Sequence, residues 1–160
     1  MSTLLVQGCS KSKNQVTEPV PALELYSGFF FKILGKAIRC GEFDADIDIA
    51  ILSAEHGLIN AETPITHYDR RMDSQRAREL RSEVANGLFD RVEEGYDRVV
   101  LNLGKTYRLA VTEFAHKSPV PVEQISGGGI GEKGHALKRF IRGDGSVLSS
   151  FDPTPLHTSN

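Results

Sequence analysis

The chain has 160 residues, of which 39% are hydrophobic and 25% are charged. This length fits one domain, and this composition excludes a disordered chain, a collagen-like repeat and a coiled coil. The formal net charge of -2 excludes a broadly basic surface, so any nucleic-acid contact must use a local cluster of cations. No apolar run reaches the roughly 18 residues of a membrane span, and no signal-peptide pattern opens the chain. We therefore expect a cytoplasmic protein that does not bind membranes.

Cysteine usage and glycine spacing restrict the chemistry further. Cys9 and Cys40 are the two cysteines of the chain, too few for a disulfide framework or a four-cysteine zinc site. We predict that both are free thiols. The glycine spacing of dinucleotide-binding folds is absent, which disfavours a nicotinamide or flavin enzyme. We therefore expect no metal and no cofactor, and the sequence carries no signal for an oligomeric state.

Short apolar runs alternate with helical patterns along the chain. Strands are expected at residues 3–7, 47–54, 97–104 and 119–126, and helices at residues 24–39, 74–92, 106–116 and 132–142. Such alternation predicts parallel pairing with helices on both faces of the sheet. The expected fold is a three-layer α/β/α sandwich with a small, mainly parallel four-stranded sheet. Residues 1–142 form this single domain, and residues 143–160, rich in Gly, Ser, Thr and Pro, are expected to be a flexible or loosely docked tail.

The loops that follow the four predicted strands should meet at one edge of the sheet. In a parallel α/β sheet, ligands bind outside the carboxyl ends of the strands. The segments concerned are residues 9–13, 53–69, 102–107 and 127–133. The topology therefore predicts a site built from these four segments.

The first of these segments carries hydroxyl and ammonium groups at close spacing. Within GCSKSK, Cys9, Ser10, Lys11 and Lys13 supply a thiol, a hydroxyl and two cations, which suits a phosphate ligand. The sequence is not a P-loop, because the GK[ST] ending is missing. A solvated loop is the alternative. Cys9 as a nucleophile is a weaker one, since no neighbour obviously activates it.

The second segment is much longer than a strand-to-helix link needs. It holds Glu55, His56 and Asp69, and long loops of this kind usually serve a function. Either carboxylate can orient water or stabilise a developing cation, and His56 can protonate a leaving group. The alternatives are that Asp69 pairs with an adjacent arginine, or that histidines bind a metal, although their spacing matches no zinc motif.

The remaining two segments offer polar and backbone groups. Asn102 ends a predicted strand, where its amide can read a base edge or cap a turn, and Lys105 follows as a further cation. Gly128 and Gly129 lie in a glycine run before the last helix and permit close backbone approach of an anion. These residues complete the predicted substrate-binding set.

Four motifs together resemble a small, poorly characterised domain family of bacteria, archaea and phages. They are VQGCSKSK, LYSGFFFK, ILSAEHGLI and HYD. Their order is similar to that in a domain of archaeosine synthase, which resembles uracil-DNA glycosylases in fold. The resemblance implies a uracil-DNA-glycosylase-like fold and recognition of a nucleobase, although the GQDPY-like and HPSPLS-like loops of those glycosylases are absent. The resemblance implies functional roles for the residues of this chain that match those motifs: Cys9, Ser10, Lys11, Ser53, Gly57, Tyr68 and Asp69.

The leading hypothesis is a DNA glycosylase that removes a modified base, for example in defence against phages with modified DNA. Asp69 would stabilise the oxocarbenium-like sugar, and Glu55 is the alternative carboxylate for this role. Lys11 and Lys13 would hold phosphate, and Tyr26 or Tyr68 would stack on the base. The partner would be DNA with modified bases. The alternatives are an N-glycosidase acting on free nucleosides or nucleotides, and a non-catalytic module that binds modified nucleic acid.

Overall fold

The computed structural model describes residues 2–153. Within them the strands are β1 (Thr3–Gly8), β2 (Val20–Pro21), β3 (Ile47–Ser53), β4 (Gly57–Asn60), β5 (Pro64–Ile65), β6 (Arg98–Asn102), β7 (Val122–Ile125) and β8 (Leu148–Ser150). The α-helices are α1 (Ala22–Leu25), α2 (Phe29–Arg39), α3 (Ser74–Glu93), α4 (Thr112–Lys117) and α5 (Ile130–Ile141), and short 3-10 helices span Tyr107–Ala110 and Gly145–Val147.

The main sheet is mixed and has six strands in the order β4-β3-β1-β6-β7-β8. The four central strands are parallel, as the sequence predicts, whereas β4 and β8 pair antiparallel at the two edges. The prediction of four strands was therefore wrong in number. β4 lies in a segment predicted to be loop, because its four residues carry no long apolar run and gain their place by folding back on β3.

Helices pack against both faces of this sheet. Alternate residues of a strand point to opposite faces, and all six residues of β1 are buried. Leu4 and Val6 belong to a cluster with side chains of α3 and α4, whereas Leu5 packs in a cluster with Leu34 of α2 and Leu137 of α5. This double coverage explains why the central strands appear in the sequence as continuous apolar runs.

The helix predicted over residues 24–39 is divided into α1 and α2. The break falls before Phe29, at Gly28, where a Cβ atom would lie only 2.6 Å from Cβ of Ser10. Gly28 N also donates a hydrogen bond to Ser10 Oγ at 3.2 Å. The loop after β1 therefore packs directly on the start of α2, which positions the GCSKSK segment.

The long helix α3 matches its prediction closely. Asp73 precedes it and accepts a hydrogen bond from Arg76 N at 2.8 Å, which satisfies one of the free N–H groups of the first turn. The predicted apolar stripe is buried at Leu80, Val84 and Leu88. The helix thus holds the segment that leads into it at a fixed place beside the sheet.

The predicted tail contains a short edge strand within its described part. Leu148–Ser150 form β8 on the outer side of β7, and the side chain of Arg139 pairs with Asp144 at 2.6 Å. The sheet thus includes residues past 142. The last part of the predicted tail, residues 154–160, lies outside the described residues. No helix within residues 2–153 has the length and hydropathy to span a bilayer.

Candidate functional site

A cavity of about 560 Å³ opens at the carboxyl ends of β1 and β6, beside the chain that enters α3. This is the edge at which the topology predicts the site. The volume lies in the range typical of small-molecule and cofactor pockets. Its lining residues are Cys9, Ser10, Lys11, Lys13, Asp69, Arg70, Arg71, Met72, Gly104, Lys105, Thr106 and Tyr107.

The wall of this cavity is strongly cationic. It carries five cations, although the chain as a whole has a net charge of -2. Asp69 is the one carboxylate among its lining residues, and no hydrogen bond or ion pair joins it to another described residue. The structure therefore does not show the alternative in which Asp69 forms an ion pair with Arg70 or Arg71. Five positive groups around one unpaired carboxylate make the cavity suited to an anionic ligand.

Arg70 instead pairs with Glu55, whose Oε1 lies 3.2 Å from its Nη1. Glu55 does not line the cavity, and Arg76 Nη2 donates to its backbone oxygen at 3.0 Å. His56 is exposed and likewise lies outside the lining, with its ring 5.5 Å from that of Tyr68. Of the three predicted catalytic residues, only Asp69 faces the cavity.

The thiol of Cys9 lies against Tyr107. Tyr107 Oη donates to the backbone oxygen of Cys9 at 3.1 Å, and the Sγ atom is 3.3 Å from the same hydroxyl. A phenol has one proton, so the thiol must donate to Tyr107 Oη in this arrangement. Burial, with the nearby Cys9 as a second cause, raises the pKa of Tyr107 well above its usual value. Tyr107 therefore keeps its phenolic proton and contributes an uncharged hydroxyl to the cavity wall.

Lys13 is held in place beside this wall. Its ammonium group lies 4.4 Å from the centre of the Tyr68 ring and donates to the backbone oxygen of Lys11 at 3.3 Å. The ring face of Tyr68 orients the cation through a cation–π contact. Lys13 is consequently a positioned charge, whereas Lys11 and Lys105 are exposed and make no ion pair with any described residue.

Three hydroxyl groups form a chain below Lys13. Ser53 Oγ donates to Tyr68 Oη at 3.0 Å, and the hydroxyls of Tyr68 and Tyr26 are 2.7 Å apart. Burial raises the pKa of Tyr26 to about 12 and that of Tyr68 further. The Tyr26 side chain is only 3% exposed, so its ring offers no face for stacking on a base. These residues, predicted to bind substrate, are absent from the cavity lining, and the two tyrosines contact it through the ammonium group of Lys13.

Asn102 is also absent from the cavity lining. Its side chain is 4% exposed, and its Nδ2 donates to Gln7 Oε1 at 2.8 Å across β1 and β6. The structure thus uses the Asn102 amide nitrogen inside the sheet, and the predicted contact with a base edge stays a prediction. The partner, Gln7, lies on the neighbouring strand β1. The sequence does not indicate this pairing, because it depends on the register between β1 and β6.

The glycines predicted to bind substrate lie outside the cavity lining. Gly57 opens β4 with a positive φ of 73°, a conformation that glycine adopts without strain. Gly128 and Gly129 precede α5, and Gly128 N donates to Glu132 Oε2 at 2.9 Å. These glycines take part in turns and backbone hydrogen bonds. The cavity is lined instead by residues that the prediction omitted, chiefly Arg70, Arg71 and Tyr107.

No cluster of three His, Cys, Asp or Glu side chains within residues 2–153 is arranged to hold a metal ion. The fold and this site define an α/β protein with a cationic cavity at the carboxyl edge of its central parallel strands.

The chain belongs to a family of unknown function, DUF6884, whose model matches residues 4–139. None of the curated proteins matches the sequence. Among solved structures, the crystal structure of AF0587, a protein of unknown function, aligns with a TM-score of 0.51 at 18% identity and covers 94% of this chain. The alignment covers 47% of AF0587, so the chain spans about half the length of that protein. At this identity the likeness extends to the fold alone, and the resemblance to archaeosine synthase stays a prediction.

Proposed function

We propose that the protein is an N-glycosidase that binds a phosphate-bearing nucleoside in the cavity, with Asp69 as the catalytic carboxylate. The observation that carries this proposal is the one unpaired carboxylate set among five cations. The resemblance of the sequence motifs to a domain with a uracil-DNA-glycosylase-like fold supports a nucleobase as the leaving group. The preferred substrate is a modified base in DNA, with defence against modified phage DNA as its setting.

The cations account for binding. Phosphate oxygens accept hydrogen bonds from Lys and Arg, and these contacts position the ligand. Lys13 is fixed by Tyr68 and by the backbone of Lys11, so it offers a preorganised contact. Lys11 and Lys105, which are exposed and also line the cavity, add two further positive charges. This local cluster answers the objection that the protein is slightly acidic overall, because only the cavity has to attract an anion.

The carboxylate accounts for the chemistry. Hydrolysis breaks the bond between C1′ of the sugar and the base nitrogen, and the base leaves with the electron pair. Positive charge then develops on the sugar, where the Asp69 carboxylate would stabilise it. Asp69 would also accept a proton from the water that attacks C1′ and release it to solvent, from which the departing base takes up one proton. The water thus supplies the sugar hydroxyl and, in sum, the proton of the free base, and the carboxylate is regenerated.

A second candidate acts on free nucleotides. The cavity volume of about 560 Å³ suits a ligand of that size, and the net charge of -2 does not favour a long polyanion. This candidate uses the same residues. A module that binds nucleotides without cleaving them would need the cations but not Asp69.

The test is to incubate the purified protein with DNA carrying normal and hypermodified bases, glucosylated phage DNA included, and to assay alkali-labile abasic sites. Free nucleotides are assayed in parallel for base release. We expect abasic sites on a modified DNA, and Asp69→Asn should lower the single-turnover rate by about 100-fold or more. Asp90→Asn is the matched control and should stay near the wild-type rate, because Asp90 is exposed on α3 and does not line the cavity.

Each result is decisive for a different part of the proposal. Base release from nucleotides alone would select the second candidate. Tight nucleotide binding without cleavage on any substrate would reject the enzyme and leave the binding module. An Asp69→Asn variant that cleaves at the wild-type rate would show that another group performs the chemistry.

A further inference from the structure

A groove runs between α2 and α5, on the face of the sheet opposite α3. Its volume is about 320 Å³, and its lining comes from one stripe of α2, from the end of α5 and from the residues just after these helices: Phe29, Lys32, Ile33, Lys36, Ala37, Glu42, Lys138, Ile141 and Arg142. The stripe follows α2 for about 12 Å. None of these residues lines the cationic cavity, so the groove is a separate surface.

The floor of this groove is apolar and partly open to solvent. Phe29 is 46% exposed, although it packs on α5, where a Cβ atom added to Gly134 would lie 2.5 Å from Phe29 Cε2. Within residues 2–153, the exposed large hydrophobic side chains are those of Phe29, Ile38 and Ile130, and all three belong to α2 or α5. Exposed apolar side chains that are concentrated on one pair of helices and rimmed by charges are typical of an interaction surface.

The rim of the groove is positively charged. Arg142 pairs with Glu42 at 2.7 Å, so these two charges compensate each other. Lys32, Lys36 and Lys138 are exposed and form no ion pair with any residue of the described range 2–153. Lys32 and Lys36 are four residues apart on α2, a spacing at which like charges repel. The groove therefore presents three uncompensated cations around an apolar floor.

We propose that this groove docks an acidic, amphipathic segment of a partner protein. The floor would bind hydrophobic side chains that recur at i, i+3 or i+4 and i+7 along a helix, and the lysines would contact carboxylates on either side of them. Charge complementarity sets the sign of the partner, since only an anionic segment is attracted to this rim. The proposal is independent of the N-glycosidase activity, because the groove and the cavity share no residue.

Other occupants match these features less well. A second copy of the chain in a two-fold contact would bring the same lysines towards each other. A nucleic-acid strand would contact the lysines through its phosphates, which offer nothing to the apolar floor. A bilayer surface is broad, whereas the apolar side chains here line a concave groove only about 12 Å long. An acidic helix matches both the floor and the rim.

The experiment measures binding of a fluorescein-labelled peptide to the full chain, by fluorescence anisotropy and by shifts of backbone amide NMR signals. The peptide has about 14 residues, with leucines at i, i+3, i+4 and i+7 and glutamates at the flanking positions. A second peptide carries lysine in place of each glutamate, and a third carries alanine in place of each leucine. Vesicles of phosphatidylglycerol and phosphatidylcholine and a single-stranded DNA octanucleotide are tested in parallel.

The test variant, Lys32→Glu with Lys138→Glu, reverses two exposed charges of the rim. The control variant, Arg78→Glu with Lys117→Glu, makes the same change of net charge at exposed positions of α3 and α4 outside the groove. Melting temperatures of both variants confirm that they fold. Nucleotide binding in the cavity should be equal in both variants and the wild type.

We expect the wild type and the control variant to bind the acidic peptide at least about tenfold more tightly than the test variant does. The test variant should instead prefer the lysine peptide, because its rim has changed sign. The alanine peptide should bind all three proteins more weakly than the acidic peptide binds the wild type. In the wild type, the shifted amide signals should lie in α2 and at the end of α5.

Three results would overturn the proposal. The rim does not select the partner if the test variant keeps its affinity for the acidic peptide, or if the control variant loses as much. The wild type might equally bind none of the peptides, which would leave the groove without this kind of partner. Shifts of the α2 and α5 signals by vesicles alone, or by the octanucleotide alone, would assign the groove to a membrane or to nucleic acid instead.

Discussion

Asn102 and Gln7 face each other at paired positions of β6 and β1 and are joined by a hydrogen bond of 2.8 Å between their buried side chains. The pair lies where β1 and β6 end, directly before the segments that line the cavity. Gln7 Nε2 also donates to the backbone oxygen of Gly8 at 3.2 Å. The two amides therefore fix the ends of two neighbouring strands, and with them the spacing of the loops that follow.

Asn102→Ala should lower the free energy of unfolding by about 1–3 kcal/mol, because it leaves the buried Gln7 oxygen without a donor. The double variant Gln7→Leu with Asn102→Leu should lie closer to the wild type, since both polar groups are then absent. Urea unfolding measures both effects. A variant that kept its stability but lost nucleotide binding would return Asn102 to the role of a ligand contact.

Lys11→Met and Lys105→Met should each weaken binding of a nucleoside 5′-monophosphate by about three- to tenfold, equivalent to about 1 kcal/mol for an exposed charged contact. Titration calorimetry at low and high salt measures the change, which should shrink as salt increases. Lys36→Met, an equal charge change away from the cavity, is the control. Equal loss in the control would mean that the cavity cations act only through the net charge.

The stability of the protein should fall as pH rises from about 10 to about 12. The pKa of Tyr26 is raised from about 10 to about 12 by burial, and that of Tyr68 is also raised. Below pH about 10 both folded and unfolded chains keep the phenolic proton, whereas above it the unfolded chain loses the proton first. Two pKa units for Tyr26 correspond to about 3 kcal/mol.

The matched variant for this prediction is Tyr26→Phe. It should be less stable than the wild type at pH 8, because the hydroxyl contact with Tyr68 is lost, but its stability should decline less between pH 10 and 12. Thermal or urea unfolding across that range gives the two curves. Parallel curves would show that Tyr26 titrates alike in the folded and unfolded chains.

Asp73→Ala should lower the free energy of unfolding by about 1 kcal/mol, because the first turn of α3 loses its cap. Asp73→Ser keeps an acceptor at the same position and should restore most of the loss. Asp90→Ala removes the same charge from an exposed position inside α3 and serves as the control. Chemical unfolding of the three variants measures the cap, and an equal loss in Asp90→Ala would attribute the effect to charge alone.

Local patterns predicted the elements that have strong local causes. The apolar run at residues 3–7 predicted β1, and Asp73 with the stripe through Leu80 and Leu88 predicted α3. β4 and β8 were not predicted, because a short edge strand is defined by its partner rather than by its own composition. The helix predicted over residues 24–39 is interrupted before Phe29 for a reason that is distant in sequence, the close approach of Ser10 to Gly28.

For the cavity, the sequence by itself predicted the edge at which it lies and several of its lining residues, including Asp69, Lys11, Lys13 and Lys105. Parallel strands bring their following loops together whatever residues those loops carry. Only the tertiary structure decided which side chains face the cavity: it paired Glu55 with Arg70, joined Asn102 to Gln7, and left Asp69 unpaired. The physical reason is that a charged or amide group takes the partner that is nearest in space, and those partners come from strands and loops that are distant in sequence.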